Sequence, residues 1–61
     1  MNKRYLVEFQ DDTTKGIFCD SKIVWASDPK SAADEIRKRP LNWRVFNRNI
    51  IAVSELIPME F

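Results

Sequence analysis

Histidine is absent from this chain, and glycine and cysteine occur once each, as Gly16 and Cys19. Each shortage removes a class of chemistry. A single cysteine closes no disulfide within the chain, and without histidine it cannot supply the donors of a zinc site. A cysteine nucleophile would need a base that the chain lacks, so Cys19 is expected to be a small buried core residue. One glycine builds no glycine-rich phosphate loop, and there is no nucleophile elbow or metal cluster. No apolar run approaches the roughly 20 residues of a membrane span. Glu8 and Gln10 interrupt the N-terminal stretch before the apolar core of a secretory leader can form. Charge of one sign is missing as well. Ten basic residues against nine acidic ones make neither a strongly electrostatic nucleic-acid binder nor an acidic nucleic-acid mimic.

These shortages point to a cytoplasmic, non-enzymatic protein with no cofactor, no metal, no membrane attachment and no small-molecule substrate. A lone thiol suits a reducing compartment. What is present is ordinary globular material, 44% hydrophobic and 31% charged residues over 61 positions, enough for one small domain spanning residues 1–61. A chain this short buries only about 60% of the surface that its unfolded form exposes. Disulfides and metals being excluded, a partner chain is the stabiliser that remains.

The pattern along the chain alternates strand and turn around one helix. Arg4 to Gln10 places Tyr5, Val7 and Phe9 on one face and Leu6, Glu8 and Gln10 on the other, a half-buried strand. The polar run Asp11 to Gly16 reads as a hairpin loop closed by a positive φ at Gly16. Its aspartates lack the further oxygen ligands of a calcium loop and read as a solvated turn. Ile17 to Ala26 is a second strand, long enough to be bent or bulged. Its apolar run Ile23-Val24-Trp25-Ala26 suggests cover on both sides.

Asp28 then reads as an N-cap, with Ser27 competing, and Pro29 as the first helical residue. Ala32, Ala33 and Ile36 form an apolar stripe at helical spacing, and the alanines allow close approach to a sheet. Asp34–Lys38 and Glu35–Arg39 have the spacing of i,i+4 ion pairs. Arg37-Lys38-Arg39 complements the helix dipole, and Pro40 ends the element. Beyond the connection Leu41-Asn42, Trp43 to Phe46 is strand-like. Asn47-Arg48-Asn49 is either a tight turn or a polar interruption. Ile50 to Ile57, the most apolar segment, is expected to be a central strand, stopped by Pro58 before a frayed tail at Met59 to Phe61.

The expected architecture is an α+β fold, ββαβ, or ββαββ if Asn47-Arg48-Asn49 turns, with one helix on one face of a three- to four-stranded antiparallel sheet. One short helix covers only one face, so apolar residues on the other remain open to a partner, and sheet edges offer strand addition. Trp and Arg are enriched at binding hot spots. The segment Arg37, Lys38, Arg39, Trp43, Arg44, Phe46, Arg48 is therefore the candidate partner-binding site. A protein partner or a second copy of the chain satisfies these facts. Stacking aromatics beside cations also suit single-stranded nucleic acid, which stays open as an alternative.

The joint from Ile23 to Ala32, a strand end running into a capped helix start, is similar to that of small phage-encoded ββαβ proteins, among them phage inhibitors of bacterial RNA polymerase. The similarity spans about ten residues and carries over no functional residue. It implies a short, cofactor-free regulatory chain of phage or prophage type that binds a host or phage macromolecule.

Overall fold

A computed structural model describes residues 2–41 and 44–57. Three strands and one helix follow in the order β1 (Lys3–Thr13), β2 (Gly16–Ala26), α1 (Pro29–Arg37) and β3 (Val45–Glu55). The sheet order is β2-β1-β3 and both pairings are antiparallel. The fold is ββαβ with the helix packed on one face of the sheet. No helix among the described residues is long and apolar enough to cross a membrane.

The hairpin is tighter than the sequence suggests. Thr13 pairs with Gly16, so only Thr14 and Lys15 turn, and Asp11 and Asp12 belong to β1 rather than to a loop. The Thr13 hydroxyl accepts from the Lys15 N–H at 3.1 Å and donates to the Gly16 carbonyl at 2.8 Å. Gly16 takes φ +134°, a value that L side chains avoid.

The helix forms as its sequence dictates. Asp28 is extended at φ −153°, and its Oδ1 accepts from the Ser31 N–H at 2.7 Å, with Pro29 opening the first turn. Ala32, Ala33 and Ile36 are buried. The two ion pairs form one residue closer than expected, Asp34 to Arg37 and Glu35 to Lys38, because helical neighbours lie three as well as four residues apart.

Tyr5, Val7, Phe9, Val24, Ala26, Ala32 and Ile36 make the core, with Ile50 and Val53 packed against it. An 11-residue strand reaches about 36 Å, and a nine-residue helix about 13 Å. The helix therefore roofs roughly a third of one sheet face, on a body measuring 45 × 21 × 14 Å. Beyond it the same face is closed by Arg48 and Asp11.

Several expectations are corrected. Ile50 to Ile57 is not a central strand: β1 lies in the middle because the hairpin supplies one neighbour and the helix crossover delivers β3 to its other side. β2 is an edge strand, open on one face, so Ile23 to Ala26 is not covered on both sides, and Cys19 is exposed. β2 pairs without a break, and the irregularities fall in β3. There the register slips between Glu8 and Phe9 and between Asp12 and Thr13, which leaves Ile51 and Phe46 as bulge residues, both exposed. Asn47-Arg48-Asn49 lies inside β3, opposite Asp12, Asp11 and Gln10, so it makes no turn and the described residues hold no fourth strand. The expectations for Asn42, Trp43 and Pro58 to Phe61 lie outside the described residues.

Candidate functional site

The described residues of the basic and aromatic segment singled out by sequence have different surroundings. Arg37 Nη1 donates to Asp34 at 2.9 Å and Lys38 Nζ to Glu35 at 3.2 Å, so both cations are partnered on the helix itself. Arg39 follows the helix, its N–H donating to the Ile36 carbonyl at 3.2 Å. Trp43 lies outside the described residues. Arg44 is exposed just ahead of β3, beside Val45 and the hairpin turn, and Phe46 protrudes at its bulge.

Arg48 is held in the sheet. Its Nε and Nη2 donate to the two Asp11 oxygens at 2.7 and 3.1 Å. Its guanidinium lies 5.0 Å from the centre of the Phe9 ring. The hydrogen bonds to Asp11 raise the Arg48 pKa above its usual value, with burial opposing and Asp20 adding a weaker pull. That arrangement commits the Nε and Nη2 side of the guanidinium to Asp11 and leaves the side chain mostly shielded from solvent.

A further exposed apolar surface lies on the face of the sheet turned away from α1. Residues paired across an antiparallel sheet share a face. This face therefore carries Arg4 beside Trp25, Leu6 between Ile23 and Ser54, and Glu8 between Ser21 and Ala52. Trp25 is 63% exposed and Ile23 56%. At the other end Asn47 Nδ2 donates to Asp12 Oδ2 at 3.1 Å beside Asn49, and Ile17, 65% exposed, flanks Asp12 from β2. Next to Trp25, a shallow groove of about 310 Å³ runs between Arg4, Leu56 and Ile57. The result is one open floor, apolar along β2 at Ile17, Ile23 and Trp25 and polar where Asn47 and Asn49 meet Asp12.

Sequence reasoning placed Trp25 in the strand-to-helix joint and in an apolar run expected to be covered on both sides, not at an exposed site. The signal that could have found it was the parity of β2. Its odd positions Ile17, Ile23 and Trp25 are apolar, whereas its even positions include Asp20 and Lys22, so apolar residues were bound to face away from the helix somewhere. Among the described residues, no group of three or more His, Cys, Asp or Glu side chains is placed to hold a metal ion. Compared with protein-family models, curated proteins and solved structures, the chain matches none of them.

Proposed function

We propose that this chain is a cytoplasmic, non-enzymatic binding and regulatory protein of phage or prophage type, which acts by holding a protein partner on the open face of its sheet. The observation that carries this reading is the apolar part of that face, where Trp25 and Ile23 stand exposed beside Leu6 and Arg4. Exposed apolar patches of this kind mark interaction surfaces, and Trp and Arg lead the residue types that dominate binding energy. Three depressions along the described surface, about 250, 310 and 330 Å³, sit near the small end of ligand pockets. That favours a macromolecule over a small substrate. The phage setting rests on the similarity of the Ile23 to Ala32 joint alone.

The test is capture from host lysate on immobilised protein, one half of the lysate treated with nuclease. A protein retained equally from both halves, lost on Trp25→Ala and kept on Arg37→Ala, supports the reading. Retention that depends on nucleic acid and falls steeply with salt would replace it with single-stranded nucleic-acid binding.

A further inference from the structure

We infer that two copies of this chain join through β2, antiparallel and centred on Ser21, into one continuous sheet. The pairing rests on three features of β2, the strand that also contributes Ile23 and Trp25 to the surface proposed above.

The first is that the outer edge of β2 is regular and, among the described residues, pairs with no other strand, its central Ser21 N–H holding a local acceptor that a second copy would displace. The Ser21 N–H donates to the neighbouring Asp20 Oδ1 at 2.8 Å, which turns it away from β1. Hairpin closure at Thr13 and Gly16 assigns the same parity. The backbone groups of Ile17, Cys19, Ser21, Ile23 and Trp25 accordingly face outward along an unbulged strand, a ready template for another strand.

The second is that β2 is self-complementary about its own midpoint. Ser21 is the central residue of Gly16–Ala26. Folding that sequence back on itself places Asp20 opposite Lys22 of the second copy, and Lys22 opposite its Asp20. On the open face Ile17 meets Trp25 and Cys19 meets Ile23. On the helix face Phe18 meets Val24. Every apolar residue finds an apolar partner and every charge its opposite. Ile17, Phe18, Ile23 and Trp25, each more than half exposed, gain cover together.

The third is that the same charges reject the neighbouring registers. Antiparallel partners must match in parity, so the nearest symmetric alternatives centre on Asp20 or on Lys22. The first sets Asp20 against Asp20, the second Lys22 against Lys22, and like charges directly opposite are destabilising. A charged interruption that ordinarily blunts an edge strand here favours the register centred on Ser21 over its two neighbours. The two-fold axis stands perpendicular to the sheet, which puts both helices on one side and joins the two open faces on the other.

Sedimentation equilibrium over a concentration series tests this, with folding of each variant checked by far-UV circular dichroism. The wild type should sediment at twice the 7.2 kDa chain mass. Asp20→Lys alone and Lys22→Asp alone should each weaken association by roughly tenfold or more, and the double exchange should restore it. In a Cys19→Ala background, Ser21→Cys should give an interchain disulfide on oxidation, since opposed residues of that pair lie about 5.5 Å apart. The native Cys19 thiols, about 14 Å apart along the strands, should not cross-link. A monomeric wild type, folded single exchanges that still dimerise, or a double exchange that stays monomeric overturns the pairing. These changes leave Trp25 untouched: a monomer that still captures its protein partner removes the dimer and keeps the function, and a dimer that captures nothing does the reverse.

Discussion

Arg48 grips Asp11 with both arms of its guanidinium fork, at 2.7 and 3.1 Å, while lying over the ring of Phe9. Both side chains are more than four-fifths shielded from solvent. The pair joins β3 to the central strand where the helix no longer covers the sheet.

Removing either partner leaves the other shielded and unpaired. Arg48→Ala or Asp11→Ala should each cost about 1–3 kcal/mol in chemical denaturation. The double variant should cost clearly less than the sum of the two. Additive losses would show that the two side chains contribute independently.

Gly16 sits at φ +134° with no atom within 4 Å of where a Cβ would stand. Gly16→Ala should therefore destabilise by about 1 kcal/mol or more through backbone strain and not through a clash. A synthetic chain with D-alanine there, whose handedness suits positive φ, should recover most of the loss.

The cap at Asp28 titrates. Its hydrogen bonds from Ser31, backbone first, hold the carboxyl below its usual value of 3.8. A carboxyl with a lowered folded pKa contributes its full stability above the unfolded value and loses it as pH falls through the folded one. Helical circular dichroism should decline below about pH 4 in the wild type. In Asp28→Asn, which caps without ionising, that component of the decline should vanish.

Ile36 is fully buried at the centre of the helix–sheet contact. Ile36→Val should cost about 1 kcal/mol, and in a domain of this size that lowers Tm by about 4–8 °C. An unchanged Tm would mean that the helix is not docked through this residue.

How far the sequence could be read followed from how local each signal was. The alternation of Tyr5, Val7 and Phe9 placed the core face of β1. Asp28, Pro29 and the stripe Ala32, Ala33, Ile36 placed the helix, because caps and periodicity act within a few residues. Asn47-Arg48-Asn49 looked like a turn because nothing nearby explains three polar residues in a strand. Their explanation lies 35 or more positions away, in Asp11 and Asp12. The same limit hid the partners of the candidate cations. Arg37 to Arg48 is dense in cations along the chain, but Arg37 and Lys38 are partnered on the helix and Arg48 is locked into the sheet. Trp25, which stands exposed, was masked by neighbours that looked like core. Strand order was illegible for a related reason: the apolar content of Ile50 to Ile57 says nothing about which strand receives it.

The two slips of register in β3 set a limit on growth. Where Ile51 and Phe46 are pushed out of line, the backbone groups on the outer side of that strand lose the even spacing that a newcomer would need. The molecule thus has one side fit for addition and one that is not. Two chains that meet through β2 present only bulged flanks to the solution, and there the assembly stops at a pair instead of lengthening into a ribbon.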